Sequence, residues 1–157
     1  MSSRDIPYVE STIIMTTVRV VAPFVLTLGL FIMFHGAESA GGGFQGGVVA
    51  ATVILMLAFA FGIEPVRGWL DPTSVLGVIA AGVLTFVAIG LGSVALGESF
   101  LEYHAYEEHL GVHHASGYGI ELVELGIGGI VTGVIVGLFF VIAAGFDTAD
   151  GEEEDLL

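Results

Sequence analysis

Long stretches of apolar residues alternate with short polar segments along the chain. The apolar stretches cover residues 12–34, 46–62, 74–96 and 119–145. A helix needs about 20 apolar residues to cross the hydrocarbon core of a bilayer, because each residue advances the helix by about 1.5 Å. The pattern predicts an all-α integral membrane protein, a bundle of four transmembrane helices within residues 1–145, followed by an acidic cytoplasmic tail in residues 146–157.

The composition supports a membrane location and excludes several classes of function. Hydrophobic residues make up 55% of the 157 residues, and the mean hydropathy is +0.94. The net charge of −14 and the absence of lysine exclude a basic surface for nucleic acid. The chain has no cysteine, which excludes disulfides and thiolate metal sites. Such an acidic, lysine-free composition is typical of proteins from a halophile.

The few arginines indicate the orientation in the cell membrane. Arg4 precedes the first span and Arg67 lies in the loop of residues 63–73, so both lie on one side if all four segments cross. The other two loops contain neither lysine nor arginine. Because cationic loops stay in the cytoplasm, we expect a multi-pass protein with both termini cytoplasmic.

Arg19 is an ionisable residue inside the first span. An arginine near the centre of a membrane helix costs about 3 kcal/mol, and less where its side chain reaches the interface. Pro23 follows four residues later and has no N–H, so the Arg19 carbonyl loses its usual helical donor. Two interpretations stay open: an arginine that anchors the cytoplasmic end, or a buried partner for a carboxylate, a subunit or an ion path.

The fourth span begins with two carboxylates and continues with regularly spaced glycines. Glu121 and Glu124 lie on neighbouring positions of one helical face, and Glu121 shares a ridge with Gly129, Gly133 and Gly137. The glycine ridge predicts close helix packing, within the chain or against another subunit. The carboxylates are either an ordinary helix N-terminus or part of a path for cations or protons.

The loop from Glu98 to His114 contains several histidines and glutamates. Residues Glu102, His104, His109 and His113 suggest a metal site at first sight. However, their order differs from His-Glu-x-x-His, and Gly111 weakens a helix between His109 and His113. We therefore predict no bound metal, and a metal-binding membrane protein is the least favoured alternative.

The segment between the first two spans carries the most specific sequence. It contains five glycines within seven positions, Gly41 to Gly47, which let the backbone turn sharply or approach another chain closely. It is not a phosphate-binding loop, because neither the Gly-Lys-Ser/Thr ending nor a βαβ context is present. From these residues alone, a plain tight hairpin remains an alternative.

These residues resemble the MnhB family, the B subunits of the Mrp-type, or Mnh, multisubunit sodium/proton antiporters. The likeness extends over about residues 7–145: a Pro23-Phe24 pair in a first span that ends in Phe-His-Gly, the Gly-Gly-Gly-Phe-Gln-Gly-Gly run, and four spans. The family motif maps onto His35, Gly36, Gly41, Gly42, Gly43, Phe44, Gln45, Gly46 and Gly47. Among these residues, the resemblance gives Phe44 the strongest expectation of a functional role. Where the family usually has proline, this chain has Ala40.

The resemblance implies a subunit of a secondary transporter, without enzyme activity or a bound cofactor. It would pack in the lipid bilayer against proton-conducting subunits that exchange Na+ for H+, and would line part of the cation path or only support it. The alternative host is an energy-converting complex of the membrane-bound hydrogenase type, which uses similar modules.

Overall fold

Six helices make up the regular secondary structure of the described residues. A computed structural model describes residues 11–36 and 41–154, with side chains as far as residue 144. The helices are α1 (Thr12–Phe34), α2 (Gly43–Phe61), α3 (Ile63–Trp69), α4 (Pro72–Ala95), α5 (His104–Leu110) and α6 (Ala115–Glu154). Arg4 and residues 37–40, including Ala40, lie outside the described residues.

Four of these helices are long and apolar enough to cross a membrane. They are α1, α2, α4 and the part of α6 from Ala115 to Ala144. The prediction of an all-α membrane protein with four transmembrane helices is thus confirmed, and the chain is a multi-pass membrane protein.

Three of the long helices begin earlier than the hydrophobic pattern indicates. Helix α2 begins at Gly43 rather than Gly46, so the last glycines of the run are helical. Helix α4 begins at Pro72, because the Asp71 carboxylate accepts hydrogen bonds from the Thr73 and Ser74 N–H groups at 3.4 and 3.2 Å. Helix α6 begins at Ala115 rather than Gly119 and continues to Glu154, so its backbone extends into the predicted tail.

Two segments that the sequence suggested were loops contain short helices. In α3, Val66 is buried and Glu64 pairs with Arg67 at 3.6 Å. Helix α5 is attached to α4 by the Tyr106 hydroxyl, which donates to the Ile89 carbonyl at 2.5 Å. It ends at Leu110, and Gly111 follows in the left-handed conformation with φ of 68°.

Helix α6 packs against both α2 and α4, while α1 packs mainly against α2. The helices approach closely at glycines: a Cβ added to Gly47 would lie 2.7 Å from the Gly128 carbonyl oxygen. At the same crossing, the Thr132 hydroxyl lies 3.0 Å from the Gly47 carbonyl oxygen and 2.7 Å from that of Gly128. Small residues and an interhelical hydrogen bond therefore hold α2 against α6, as is usual in lipid.

Candidate functional site

The glycine run returns the chain from the end of α1 to the start of α2. His35 caps α1: its backbone N–H donates to the Phe31 carbonyl at 3.1 Å, and its ring Nδ1 lies 3.1 Å from the same oxygen. Gly41 and Gly42 have φ of 157° and 127°. A non-glycine residue rarely adopts the value at Gly42, so this position requires glycine at the entrance to α2.

Glu124 of α6 lies against this turn. Its carboxylate occupies the space that a Cβ at Gly36 would need, and a Cβ at Gly42 would lie 2.7 Å from its Oε1 atom. A Cβ at Gly43 would overlap with the Glu124 backbone. We call Gly36, Gly42 and Gly43 the glycine cradle. Glycine at these positions makes room for the acidic residue of a distant helix.

One oxygen of the partly buried Glu124 carboxylate has little to compensate its charge. The Oε2 atom is buried and has no hydrogen-bond partner within the part of the chain that the structure describes. An unpaired charged oxygen is costly to bury. Helix α2 begins at the cradle, so the partial positive charge of its N-terminus lies close to Glu124. This charge is only about half an elementary charge and cannot balance a full carboxylate charge. The site thus favours a proton or a cation on this carboxylate.

The interpretation of Glu124 as an ordinary helix N-terminus does not fit the structure. Because α6 begins at Ala115, Glu124 follows nine residues later, about 14 Å along the helix axis. The dipole of a helix acts on side chains within its first turn. The charge of Glu124 therefore meets the N-terminus of α2, not that of its own helix.

Tyr103 lies near this site and was missed from the sequence. It precedes α5, and its ring occupies the space that a Cβ at Gly119 would need. Burial raises the pKa of the Tyr103 hydroxyl, and the charges of Glu124 and Tyr106 raise it further. Tyr103 therefore keeps its proton. No sequence pattern connects a loop tyrosine with a glutamate 21 residues later.

The predicted family motif divides between two faces of the structure. Gly36, Gly42 and Gly43 meet Glu124, whereas Phe44 and Gln45 are exposed on the other side of α2, with Phe44 63% exposed. The remaining glycines serve packing. A Cβ at Gly41 would lie 3.1 Å from the Ile32 side chain, one at Gly46 would meet Met33 and Gly29, and one at Gly47 would meet Gly128.

The other predicted residues of α6 lie on several surfaces. Glu121 is partly buried, and its charge acts on Glu124. Gly129 and Gly133 lie against α4, where added Cβ atoms would be 3.3 Å from Val78 and 2.6 Å from Ile79. A Cβ at Gly137 would have no described residue within 4 Å, and Gly137 lines an apolar groove between α4 and α6. The glycine ridge thus faces a helix of the same chain for part of its length.

The structure places Arg19 far from the two glutamates. Arg19 precedes Gly36 by 17 residues, which corresponds to about 25 Å along α1. Its guanidinium carbon lies 5.0 Å from the centre of the Phe61 ring, at the opposite end of α2 from the cradle. Arg19 and Glu124 therefore do not form one site.

The histidine-rich loop is stabilised locally. His104 pairs with Glu107 at 3.0 Å, and His109 Nδ1 lies 3.1 Å from the Ala105 carbonyl oxygen. Among the described residues, no group of three histidine, aspartate or glutamate side chains is arranged to hold a metal ion. The geometry does not favour the metal-binding alternative with Glu102, His104, His109 and His113.

Comparisons with known proteins agree with the family resemblance. A family model described as "Domain related to MnhB subunit of Na+/H+ antiporter" matches residues 13–137. The chain is 32% identical over 91 residues to the B subunit of the Na(+)/H(+) antiporter of Bacillus subtilis (strain 168), a match that covers 58% of this chain and 63% of that protein.

Two further relatives are covered over most of their length. The chain is 30% identical over 140 residues to an antiporter subunit named mnhB2 of Staphylococcus haemolyticus (strain JCSC1435), covering 87% of this chain and 97% of that protein. It is 29% identical over 120 residues to the B subunit of the Na(+)/H(+) antiporter of Alkalihalophilus pseudofirmus, covering 71% and 83%. The chain therefore belongs to the MnhB family of Na+/H+ antiporter subunits.

Proposed function

We propose that this chain is a small membrane subunit of a multisubunit Na+/H+ antiporter and that Glu124, in its glycine cradle, binds one of the exchanged cations. The observation that carries this proposal is the buried Oε2 atom of Glu124, which has no hydrogen-bond partner among the described residues. The identity of the ions, Na+ and H+, comes from the family, because the relatives are named as Na(+)/H(+) antiporter subunits.

A carboxylate in this position suits exchange chemistry. It requires a positive charge, and either H+ or Na+ can supply one. Tyr103, which keeps its proton, is a nearby hydroxyl. Each time a proton leaves Glu124, the negative charge of the carboxylate attracts a cation. H+ and Na+ therefore compete for the same carboxylate.

The chain works together with other subunits. Transporters usually place their binding site between structural repeats. This chain provides only four spans, with few ionisable residues in them. We therefore propose that proton-conducting subunits pack against it in the cell membrane. The names of the relatives favour an antiporter over a hydrogenase-type complex.

The proposed orientation, with both termini in the cytoplasm, would give the site a direction. With both termini in the cytoplasm, α1 begins on the cytoplasmic side and the glycine turn lies near the outer surface. In this orientation, Glu124 lies nearer the outer surface than the cytoplasm.

The test uses the whole operon expressed in an antiporter-deficient host. Sodium-dependent proton movement is measured in everted vesicles for the wild type, for an operon without this gene, and for Glu124→Gln. We expect loss of activity in the last two. The matched control is Glu102→Gln, which changes an exposed carboxylate of the loop and should leave antiport unchanged.

The outcomes are distinct. Full antiport without this gene would refute the role as a required subunit. Full antiport in Glu124→Gln, at normal complex abundance, would refute ion binding by Glu124 and leave the subunit role intact. Glu121→Gln should have an intermediate effect, because Glu121 acts on the site only through its charge.

A further inference from the structure

Helix α1 has a polar stripe that the described residues of its own bundle leave exposed. Thr12, Thr16, Arg19, Pro23 and Thr27 are separated by four, three, four and four residues, so they lie along one side of the helix. All five are exposed. We call them the α1 polar stripe. In an isolated chain, this stripe would face lipid.

The stripe differs from the surface that α1 buries within the chain. The buried residues of α1 are Ala22, Gly29 and Met33. At about 100° per residue, their centre lies roughly 100° around the helix from the centre of the stripe. A helix surrounded on its other sides by lipid would be apolar there, so the stripe requires another explanation.

Arg19 carries the charge of this stripe. It follows the first residue of α1 by seven residues, about 10 Å along the axis. Its guanidinium carbon lies 5.0 Å from the centre of the ring of Phe61, the last residue of α2, so the cation lies beside that end of α2. Phe61 contributes attraction but no negative charge.

The described carboxylates at this end of the bundle have other partners. Glu64 pairs with Arg67 at 3.6 Å, and Asp71 accepts hydrogen bonds from the first turn of α4. No ion pair to Arg19 exists among the described residues. The Arg19 carbonyl oxygen is a second polar group of the stripe, because Pro23 has no N–H to donate to it.

We propose that the α1 polar stripe is the docking surface for a membrane-spanning helix of another subunit, and that this helix places a carboxylate opposite Arg19. The proposal rests on the multisubunit function proposed above. A carboxylate neutralises the guanidinium and accepts hydrogen bonds from two of its N–H groups, which makes it the best partner for an arginine in lipid. Hydroxyls of Thr16 and Thr27 can bond across the same interface.

A second copy of this chain does not fit the stripe. Symmetric pairing would bring two Arg19 side chains together. Glu121 and Glu124 of a copy inserted in the same direction lie near the level of Gly36, about 25 Å from Arg19 along the helix axis. The described membrane spans of a copy therefore place no carboxylate at the level of Arg19, which favours a different subunit as its source.

The first experiment measures assembly of the complex. The tagged chain is purified from cells that express the whole operon, and the other subunits recovered per copy are counted for the wild type, Arg19→Gln, Arg19→Lys and Arg67→Gln. We expect a severalfold loss of at least one subunit in Arg19→Gln only. Arg19→Lys keeps the charge, and Arg67→Gln removes an exposed arginine outside the spans.

A second experiment identifies what covers the stripe. Because the chain has no cysteine, Thr16→Cys and Thr27→Cys each introduce a unique site for a photoactivatable cross-linker. We expect both to cross-link to a spanning segment of one subunit of the purified complex. Replacing the acidic residue of that segment by lysine should restore the assembly that Arg19→Glu abolishes.

Two results would overturn the proposal. The first is recovery of every subunit at the wild-type level from Arg19→Gln; the second is cross-linking from both positions to lipid alone, which would assign the stripe to lipid headgroups. If the wild-type chain recovers no other subunit, the multisubunit function itself fails, and this result is distinguishable from both.

Discussion

The carboxylate of Glu124 fills the space that a side chain at Gly36 would need. The contact joins the end of α1 to the interior of α6, across 88 residues of sequence. It explains why a turn between two membrane helices contains glycine at Gly36, Gly42 and Gly43, and it identifies which glycines should be sensitive to substitution.

We predict that Gly36→Ala lowers antiport severalfold. The added methyl group overlaps with the Glu124 carboxylate, so the glutamate has to move away from the cradle. Sodium-dependent proton movement in vesicles measures the effect. Gly77→Ala is the matched control, because a Cβ at Gly77 meets no described residue within 4 Å. Equal activity of the two variants would show that the position of Glu124 is unimportant.

The number of membrane helices was predictable because it depends on the length of apolar stretches, a local property. The boundaries were less predictable at the glycine run. Glycine has a low helix propensity, which favours a loop through Gly43, Gly46 and Gly47. The structure has helix there because these glycines pack against α1 and α6, and tertiary packing outweighs local propensity.

The candidate site was predictable only in parts. The glycine run and Glu124 are each recognisable in the sequence, but no periodicity relates residues separated by more than 80 positions. Helices α3 and α5 have seven residues each, too few for a helical pattern to stand out from a loop. The position of Tyr103 beside the site depends on α5 and could not be inferred.

We predict that Phe44→Ala lowers antiport severalfold without loss of helices or of complex abundance. Phe44 is 63% exposed beside the cradle, so its removal leaves no cavity within the chain. Antiport activity and the quantity of assembled complex are measured together. Leu84→Ala removes a large apolar side chain of similar exposure, 67%, from α4 and serves as the control. Normal antiport in Phe44→Ala would leave the family motif without a role at this position.

We predict that Glu124→Gln lowers the pKa of Tyr103. Burial is the larger cause of the raised pKa and remains, but the negative charge of Glu124 is removed. Titration of tyrosinate absorbance measures the change, and Tyr103→Phe identifies the signal. Glu64→Gln, at the other end of the bundle, should leave the titration unaltered. An unchanged titration in Glu124→Gln would place the carboxylate too far away to act on Tyr103.

The same raised pKa makes stability depend on alkaline pH. The folded chain holds the Tyr103 proton more tightly than the unfolded chain, whose tyrosine pKa is about 10. The stabilising contribution is therefore complete below about pH 10 and is lost as the pH rises through the folded-state pKa. Unfolding measured across this range should show a decline that is absent in Tyr103→Phe.

We predict that Thr132→Val destabilises the chain by about 1 kcal/mol, the usual size of an interhelical hydrogen bond in a membrane protein. Valine keeps the shape of threonine but cannot donate to the Gly47 carbonyl, at 3.0 Å, so α2 loses a bond to α6. The free energy of unfolding in mixed micelles measures the loss. Thr85→Val is the matched control, because among the described residues the Thr85 hydroxyl bonds only to Ala81 of its own helix, at 2.8 Å. If both variants lose the same stability, the bond within each helix accounts for the effect. A larger loss in Thr132→Val assigns the difference to the contact between α2 and α6 that supports the glycine cradle.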